Sequence, residues 1–511
     1  MAILRLALVG AVVVGSCEPG PTGPDDFPGS ETSGLVVSEP VGLGFGASSA
    51  TRSGVPAASA SVGLSWVSYA PGSFSEGDTL EVRNAARGAV VTAAIVDGGV
   101  DPVAIPASVE DTLEIVVLAG GLPRWVTAAL VPPESPPRIV RTRPRRRQGR
   151  VPLNATMQVV FTEPIIPPSA GGGSVELVGS GAIPVDLVFS PDGASMEVVP
   201  RQLLEPGTTH TLVVRDVRDR SGELLEDPFS VDFSTAPLGL ELENAVVFES
   251  KRSGRSELWI QELDGGDAVQ LTHRTAEGQS IAPSLSPDGR TVAFAVAPLQ
   301  GDWDIYSIQV DGTGLIDLTR NTAFDGWRPA WSPDGTRIAF FSDRDDPAND
   351  EIYVMNADGS DVRRLTNDPA DDAMTTWSPD GTRLAFETNR AGSYDIWVMN
   401  ADGTDPRPLT DHPADDEWPA WSPDGTRIAF DSGRDGNREI YVMDADGSNV
   451  VRLTHHPGFD SAPAWSRDGS RIAFSSDRAG STDLWIMNAD GSGLVRLTDH
   501  PAADFFPTWS R

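Results

Sequence analysis

A five-residue motif, WSPDG or WSRDG, recurs at a nearly constant interval through the C-terminal half of the chain. Its tryptophans are Trp331, Trp377, Trp421 and Trp465, and a last partial copy places Trp509 near the C-terminus. The spacings are 46, 44, 44 and 44 residues, and Leu285 takes the tryptophan position 46 residues before the first of them. A period in the mid-forties, built of short strands and tight turns, is typical of a β-propeller.

Each repeat is predicted to contain four short strands and two tight turns. In the unit at 327–366, Ser-Pro-Asp-Gly turns the chain after the first strand, because proline fixes φ and glycine accepts a left-handed corner. TRIAFFS, EIYVM and VRRLT form the second, third and fourth strands, with NADG as the second turn. Because the chain direction alternates, both tight turns lie on one face and the longer loops, which more often carry binding, lie on the other.

Six segments match the third strand, so the sequence predicts six blades. They are SELWIQEL, WDIYSIQV, EIYVMNAD, DIWVMNAD, EIYVMDAD and DLWIMNAD. The first blade lacks its own first strand, since VVFES at 246–250 already matches a second strand, whereas the chain ends on a first strand at 507–510. We therefore expect the C-terminal strand to complete the first blade and close the ring, which removes open sheet edges.

This repeat resembles that of the TolB-like six-bladed propeller family, in which WSPDG precedes an Ile/Leu-Ala-Phe strand and a strand of the Ile-Tyr-Val-Met type. The resemblance covers about 243–511, within a domain that we place at 238–511. It implies the fold and little about function, because the same propeller serves many tasks. The founding member works in the periplasm with a peptidoglycan-associated lipoprotein. Its N-terminal α/β domain has no counterpart here, so that partner is not carried over.

Two further domains are predicted before the propeller. Residues 136–237 resemble the SbsA-like bacterial Ig-like domain. The segments that carry the resemblance are VPLN at 151–154, VVFTEP at 159–164, SPDG at 190–193 and VDFST at 231–235. Residues 34–135 contain alternating runs such as DTLEVRN and DTLEIVVL between Gly, Asp and Pro, which predicts a small all-β domain. The predicted fold class is therefore all-β, with a C-terminal six-bladed β-propeller and two N-terminal β-sandwich (Ig-like) domains.

The N-terminus reads as an export signal. Residues 1–17 carry Arg5, a short apolar run and then Cys17, the only cysteine of the chain. VGSC resembles a bacterial lipobox, so Cys17 is the expected lipidation site, and an ordinary signal peptide with an incidental cysteine is the alternative. The Pro/Gly/acid-rich residues 18–33 are expected to form a flexible linker to this membrane anchor.

The formal net charge of −34 disfavours nucleic acid as a partner, because phosphate binding needs a basic surface. A basic protein or peptide fits this charge better, although acidity alone also keeps an exported protein soluble. Seven arginines stand together in this acidic chain, at 138, 141, 143, 145, 146, 147 and 150. They form either a solvated junction or a docking segment for the acidic propeller or anionic lipid head groups.

One aspartate precedes most of the blade tryptophans by five residues, and these aspartates are the candidate binding residues. They are Asp372, Asp416, Asp460 and Asp504, joined by Asp325 one position earlier in its blade. Since the innermost strand starts next to them, they should ring the channel mouth on the long-loop face. They would there attract a cation or a basic partner, or alternatively each would cap its own loop by accepting from backbone amides.

Two other sets repeat with the blades. His412, His456 and His500 lie nine residues before the tryptophans and should be too far apart to share a metal ion. The arginines after the second strands are expected to pair with the acids that open the third strands of the same blades. The arginines are Arg252, Arg344, Arg390, Arg434 and Arg478, and the acids are Glu257, Glu351, Asp395, Glu439 and Asp483.

No hydrolase elbow, zinc-protease motif or phosphate-binding glycine loop is present, so the sequence predicts neither an enzyme nor a cofactor or metal site. We interpret the chain as an exported, lipid-anchored cell-envelope protein, facing the periplasm or the cell surface. A monomer is expected, with a propeller that binds an envelope protein or basic peptide. A metal-assisted carbohydrate-active propeller enzyme and a purely structural envelope spacer are the alternatives.

Overall fold

The computed structural model describes residues 35–37, 63–69, 79–95, 100–107, 111–119, 122–131, 136–167, 174–263, 268–273, 278–298, 303–320 and 323–510. Cys17 and the predicted linker at 18–33 lie outside these residues. The described residues form 41 β-strands and no α-helix, so none of them forms an apolar helix of the length that a membrane span requires. The all-β prediction is confirmed.

The N-terminal domain is a sandwich of two antiparallel sheets. Its strands are β1 Leu35–Val37, β2 Gly63–Tyr69, β3 Thr79–Asn84, β4 Ala89–Ala94, β5 Val100–Ala107, β6 Thr112–Ala119 and β7 Leu122–Leu130. The sheet orders are β1-β2-β5 and β4-β3-β6-β7. Alternate residues of β3 face inward, so Leu80 and Val82 pack with Ile105 of the other sheet in one buried core.

The second domain is also a two-sheet sandwich. Its strands are β8 Ile139–Arg143, β9 Met157–Phe161, β10 Ile165–Ile166, β11 Val175–Val178, β12 Ala182–Ile183, β13 Val185–Phe189, β14 Ser195–Pro200, β15 Thr209–Val214, β16 Arg218–Asp219 and β17 Phe229–Ser234. The main sheets have the orders β13-β14-β9-β8 and β12-β11-β15-β17, with β10 and β16 as a separate pair. Phe161, Met196 and Phe233 are buried between the sheets.

The C-terminal domain is a ring of six four-stranded sheets. Blade 1 contains β18 Ala245–Ser250, β19 Glu257–Glu262, β20 Val269–Gln270 and β41 Asp504–Trp509. Blade 2 contains β21 Gly278–Leu285, β22 Thr291–Pro298, β23 Asp304–Gln309 and β24 Ile316–Asp317. Blade 3 contains β25 Ala330–Trp331, β26 Arg337–Ser342, β27 Glu351–Asn356 and β28 Arg363–Arg364. Blade 4 contains β29 Asp372–Trp377, β30 Arg383–Thr388, β31 Asp395–Asn400 and β32 Arg407–Pro408. Blade 5 contains β33 Asp416–Trp421, β34 Arg427–Ser432, β35 Glu439–Asp444 and β36 Val451–Arg452. Blade 6 contains β37 Asp460–Trp465, β38 Arg471–Ser476, β39 Asp483–Asn488 and β40 Val495–Arg496. The outermost strands are only two residues long, shorter than the sequence predicts.

The C-terminal strand closes the ring, as the sequence predicts. β41 pairs antiparallel with β18, and Val246 lies opposite Trp509. Beyond the strand, the amide of Ser510 donates to the carbonyl of Ala245 at 2.8 Å, and the amide of Ala245 donates to Oγ of Ser510 at 2.6 Å. The two ends of the propeller sequence are thereby held together by sheet hydrogen bonds.

The repeated residues of the motif lock each blade to the next. The indole nitrogen of Trp377 donates to the carbonyl of Ala330 in the preceding blade at 3.1 Å, and Trp465 and Trp509 donate in the same way. Arg337 of blade 3 lies over the ring of Trp377, 4.6 Å from its centroid. Inside the blades, the phenylalanine of every second strand is fully buried, at 248, 294, 340, 386, 430 and 474. The tryptophan and the arginine of the motif therefore build the interfaces between blades.

The Ser-Pro-Asp-Gly turns are held by their aspartate. In blade 3, Oδ1 of Asp334 accepts from the hydroxyl of Ser332 and from the amide and hydroxyl of Thr336. These hydrogen bonds lower the pKa of Asp334 to about 2. Gly335 follows with φ of +70°, a conformation that glycine adopts without steric cost.

The Ig-like domain is docked on blades 1 and 2 of the propeller. The amide of Leu153 donates to the carbonyl of Asp311 at 2.7 Å, in the turn between the third and fourth strands of blade 2. The side-chain amide of Asn154 donates to the carbonyl of Leu271 at 3.0 Å, beyond the outermost strand of blade 1. These contacts involve the outer edge of blade 1 and the tight-turn side of blade 2, and none of them is on a loop at the channel.

The arginines at 138–150, called the basic segment below, act at both borders of the Ig-like domain. Arg141 makes a bidentate ion pair with Asp101 of the N-terminal domain at 2.6 and 2.7 Å. Arg150 pairs with Glu262 of blade 1 at 2.7 Å, and the guanidinium of Arg143 lies 5.9 Å from the ring centroid of Trp259. Part of this segment therefore contacts the propeller, one of the two sequence-based interpretations.

The docked arrangement predicts a cost for a side chain at Gly312. A Cβ there would meet Oδ1 of Asn154 at 2.2 Å, and φ is +86°. Gly480, with φ of +104° and no atom within 4 Å of its Cβ position, is the matched control. We expect Gly480→Ala to lose about 1 kcal/mol of stability from backbone strain alone. Gly312→Ala should lose more and should also raise the radius of gyration in X-ray scattering, because it opens the junction. Equal melting curves and equal radii for the two variants would contradict the docking.

Candidate functional site

The five aspartates predicted to ring the channel mouth are fully buried, each with 0% exposed surface. Each forms an ion pair with an arginine that follows a second strand: Arg252–Asp504, Arg344–Asp325, Arg390–Asp372, Arg434–Asp416 and Arg478–Asp460. The arginine is also held by the serine that ends the second strand, as in Arg478 Nε to Ser476 Oγ at 2.9 Å. This geometry contradicts the prediction that these aspartates offer free carboxylates at the surface. The alternative, in which each accepts from backbone amides of its own loop, differs from the contacts observed, which are ion pairs with arginine side chains.

The predicted pairing of these arginines with the acids that open the third strands is also wrong. The acids that open the third strands pair instead with arginines of the fourth strands: Arg364–Glu351, Arg452–Glu439 and Arg496–Asp483, at 2.6, 2.6 and 2.8 Å. In blades 1 and 4, Glu257 and Asp395 accept from the hydroxyls of Thr272 and Thr410. The third-strand acid is nearer to each arginine in sequence, but the sheet register places the first-strand aspartate opposite the last residue of the second strand, which is close to the arginine.

Burial has an electrostatic consequence for these pairs. Desolvation raises the pKa of Asp372, Asp460 and Asp504, and the hydrogen bonds and charges of their arginines counteract it. The charged form therefore depends on the arginine in each pair. The aspartates hold the long loops in place rather than contributing open negative charge.

The three repeated histidines are loop caps. Nδ1 of His412 accepts from the amide of Ala414 at 3.1 Å, and His456 and His500 accept from Gly458 and Ala502 at 2.9 and 3.0 Å. Each lies in a different blade, as the sequence predicts. Among the residues that the structure describes, no group of three or more His, Cys, Asp or Glu side chains is placed to hold a metal ion.

The innermost strands share a backbone feature that the sequence analysis missed. In every blade, the residue three positions before the motif tryptophan, or its leucine equivalent, has a left-handed φ between 44° and 58°. These residues are Ala282, Arg328, Met374, Trp418, Ala462 and Phe506. Register shifts between first and second strands mark β-bulges there in blades 2, 4, 5 and 6. A bulge re-aims a side chain and leaves an amide unpaired, so these positions differ from the rest of the strand.

Aromatic side chains from alternate blades meet at the centre of the ring. Trp418 of blade 5 stacks on Phe506 of blade 1 at 4.9 Å between ring centroids, and Phe506 packs edge-on against Trp327 of blade 3 at 6.2 Å. Trp327 in turn stacks on Trp303 at 5.4 Å with an interplanar angle of 5°. Blades that are not neighbours in the ring can touch only near the axis, so these side chains narrow the channel. We call the cluster Trp303, Phe324, Trp327, Trp418, Phe505 and Phe506 the aromatic mouth.

A buried charge network lies beside the aromatic mouth. Arg328 of blade 3 donates to the carbonyl of Pro463 of blade 6 at 3.2 Å and lies 5.3 Å from the ring centroid of Trp418. Glu387 accepts from the amide of Trp418 at 2.9 Å, and Asp431 accepts from the amide of Ala462 at 3.1 Å. Each of these acids comes from a second strand and satisfies the amide that the bulge of the next blade leaves unpaired.

Desolvation dominates the titration of this network. It raises the pKa of Glu387 to about 8 and that of Asp431 to about 7, and it lowers the pKa of Arg328 to about 10. Arg328 therefore carries its charge at neutral pH, and Glu387 is largely protonated there. The mouth thus combines partly exposed aromatic rings with the charged guanidinium of Arg328.

The aromatic mouth lies on the long-loop face. Trp303 ends the loop between the second and third strands of blade 2, while Phe324 and Trp327 belong to the loop that enters blade 3. One sequence signal could have predicted part of this cluster, namely the variable residue three positions before each motif tryptophan. It varies from Ala to Arg to Trp between units that otherwise repeat closely.

Removing one member of a buried ion pair should destabilise the propeller strongly. Asp460→Asn keeps the shape but leaves Arg478 without its counter-charge, which should cost about 3–5 kcal/mol. The control is Asp361→Asn, because Asp361 pairs with Arg363 at 2.6 Å where both side chains are more than half exposed. We expect a change within about 1 kcal/mol there. Chemical denaturation compares the two, and similar losses would contradict a structural role for the buried pair.

The free energy of unfolding should depend on pH through Glu387, and the sign of this dependence follows from its pKa. Its folded pKa of about 8 lies above the ordinary value of 4.5 for a glutamate, so the unfolded chain releases this proton first as pH rises. The contribution to stability is therefore full below about pH 4.5 and is lost as pH rises through about 8. Glu387→Gln removes this titration while keeping an acceptor for the amide of Trp418. Relative to the parent, the variant should gain stability between pH 5 and pH 9, and a stability difference that stays flat across this range would contradict the assignment.

Comparisons with known proteins agree with the geometry. A family profile described as TolB beta propeller domain matches residues 329–416 and 411–511, and one described as bacterial Ig-like domain matches 133–235. The Tol-Pal system protein TolB of Anaeromyxobacter dehalogenans is 35% identical over 24% of this chain and 27% of its own length. A TolB homolog of Chlorobium luteolum is 32% identical over 22% of this chain and 34% of its own length.

The chain thus spans about a third of the length of these curated relatives. Among solved structures, TolB of Acinetobacter baumannii matches with a TM-score of 0.46 and 18% identity, over 66% of this chain and 83% of that one. The profile matches, together with the six closed blades, identify the C-terminal domain as a TolB-like β-propeller preceded by a bacterial Ig-like domain.

Proposed function

We propose that the chain is a non-catalytic cell-envelope protein whose propeller binds a protein or peptide at the aromatic mouth. The observation that carries this proposal is the series of contacting rings Trp303, Trp327, Phe506 and Trp418, which joins four blades at the centre of the long-loop face. Partly exposed aromatic rings in a rigid frame are typical anchors of protein recognition, because they bury much apolar area for little lost side-chain freedom.

The physical setting favours a protein ligand over a reactive small molecule. Trp303, Trp327 and Phe505 are half-buried, and Lys251 lies 5.6 Å from the ring of Phe505 at the edge of the cluster. The loops around the cluster are acidic and are fixed by the five buried ion pairs, so the face does not need to reorganise on binding. The net charge of −34 favours a basic partner, mainly through faster association.

The aspartates take a different role in this proposal from the one that the sequence suggests. They act indirectly, by holding the loops, and the aromatic rings make the contact. Relatives named as Tol-Pal system proteins support a place in the cell envelope. Export by residues 1–17 and lipidation of Cys17 remain predictions, as does the monomeric state.

Binding should depend on the aromatic mouth and not on the face as a whole. The full chain with Cys17→Ser is immobilised and exposed to an envelope extract, next to Phe505→Ala and Trp303→Ala. Phe459→Ala is the matched control, because Phe459 is an exposed aromatic residue of a long loop outside the cluster. We expect partners held by the parent and by the control to be lost by at least about tenfold from the mouth variants, as for a hot-spot residue.

The contrary results are informative in different ways. Equal capture by all four proteins would place recognition elsewhere on the chain. No capture by any of them would favour the structural spacer. Metal-dependent turnover of an acidic polysaccharide by the parent would favour the enzymatic alternative, for which no described residue cluster provides a metal site.

A further inference from the structure

A cavity of about 400 Å³ lies between the Ig-like domain, the outer side of blade 1 and residues 497–500, which follow the last strand of blade 6. A second cavity of about 520 Å³ adjoins it, and the two share Arg145, Gln148, Glu262 and Val269 as lining residues. We call the pair the junction cavity. Its size falls in the range of small-molecule sites, which occur preferentially at domain interfaces. It is distinct from the aromatic mouth, which lies at the centre of the ring.

Two polar sheet surfaces form the walls of the first cavity. On the Ig-like side, Arg143, Gln158 and Glu197 lie in one cross-strand row, since Gln158 of β9 is paired with Arg143 of β8 and with Glu197 of β14. On the propeller side, Trp259 of β19 is paired with Gln270 of β20. The pairing places hydrogen-bonding groups on both sides of the cleft at sheet spacing.

Glutamine is concentrated at this site. The chain has eight glutamines, and four of them line the first cavity: Gln148, Gln158, Gln261 and Gln270. A side-chain amide both donates and accepts, as does a hydroxyl, so a set of amides matches a ligand with several hydroxyl groups. This composition favours a saccharide over an apolar ligand.

His273 adds a neutral hydrogen-bonding group to the same wall. Its Nδ1 lies 3.3 Å from the hydroxyl of Thr156 across the domain junction, and its Nε2 is buried without a partner among the described residues. Desolvation lowers the pKa of His273 to about 4, so the ring is neutral at neutral pH. A neutral ring nitrogen can exchange a hydrogen bond with a ligand hydroxyl.

Trp259 does not serve as a stacking platform here. The guanidinium groups of Arg252 and Arg143 lie 5.0 and 5.9 Å from its ring centroid. Its indole nitrogen has no partner, but the same holds for Trp397 and Trp485 at the equivalent position of blades 4 and 6, where the Ig-like domain is not docked. The indole therefore belongs to the repeat and does not itself indicate a ligand.

The second cavity is basic. Arg145, Arg146, Arg147 and Arg150 line it against one acid, Glu262, which Arg150 already engages. Arg146 and Arg147 are exposed, and the sequence around them is the only arginine-rich stretch in a chain with a net charge of −34. Guanidinium groups bind carboxylate and phosphate oxygens through paired hydrogen bonds, so this end of the site favours an acid group.

We propose that the junction cavity binds an acidic saccharide, with its hydroxyl groups on the glutamine side chains and its acid group on Arg146 and Arg147. The acid can be a carboxylate or a phosphate, which the arginines recognise by the same chemistry. The site would exist only in the docked arrangement of the Ig-like domain and blade 1, because each supplies one wall.

Calorimetry on the full chain tests the site with chemically matched probes. Cellobiuronic acid and cellobiose differ by one carboxylate, so they test a carboxylate as the acid group. Glucose 6-phosphate and inorganic phosphate test a phosphate as the acid group, with and without a sugar. We expect cellobiuronic acid or glucose 6-phosphate to bind with a Kd between about 10 µM and 1 mM, and cellobiose at least about tenfold more weakly. Inorganic phosphate should bind more weakly than the acidic saccharide, because it cannot use the glutamine wall.

Matched variants assign the two ends of the site. Arg146→Gln with Arg147→Gln should abolish the preference for the acidic probe, whereas Arg201→Gln with Arg363→Gln, two exposed arginines elsewhere, should leave it unchanged. Gln158→Leu should weaken the acidic and neutral saccharides alike, and Gln202→Leu, at an exposed position of the same domain, should not.

Three results would overturn the proposal, and the first two are measured on the parent chain alone. The first is that the parent chain binds none of the four probes at about 10 mM. The second is that inorganic phosphate binds as tightly as the acidic saccharides, which would remove the saccharide from the site. The third is that both the arginine and the glutamine variants bind every probe as the parent does.

Discussion

The pairing of the last strand with the first propeller strand is the constraint on which the rest of the C-terminal domain depends. β41 and β18 are more than 250 residues apart in sequence, and their hydrogen bonds complete blade 1 and join it to blade 6. Without this pairing, β18 and β41 would each present an open sheet edge. Closure also fixes the diameter of the ring, and the diameter decides which side chains from different blades can meet at the axis.

Within that ring, each blade is fastened by residues of the repeated motif acting on a neighbour. A carbonyl of the previous blade accepts from the indole nitrogen of Trp331, Trp377, Trp465 and Trp509. An arginine of the previous blade lies over the rings of Trp377, Trp421, Trp465 and Trp509. The buried Arg–Asp pairs then fix the long loops at the start of each innermost strand. A buried pair of this kind is weak in net terms, but losing one member leaves an uncompensated charge, so it specifies the loop geometry more than it adds stability.

The departures from the repeat are concentrated at the axis and at the Ig-like junction. At the axis, residues as different as Arg328, Trp418 and Phe506 share a left-handed backbone conformation at equivalent positions and meet one another. At the junction, blade 1 carries glutamines and His273, which face the basic segment. A scaffold whose repeated residues hold the frame leaves its unrepeated residues available for recognition.

The sequence by itself determined the all-β class, the six blades, the closing strand and the Ig-like domain, because these follow from a local period and from turn residues that act within one repeat. It also located the aspartates correctly at the start of the innermost strands. Only the tertiary structure decided that Asp372 and its equivalents are buried against arginines, since a different acid is nearer to each arginine in sequence and only the strand pairing within the sheet brings the aspartate to it. The aromatic mouth and the junction cavity likewise required the fold, because their residues come from blades and domains far apart in the chain, and their proximity depends on ring closure and docking.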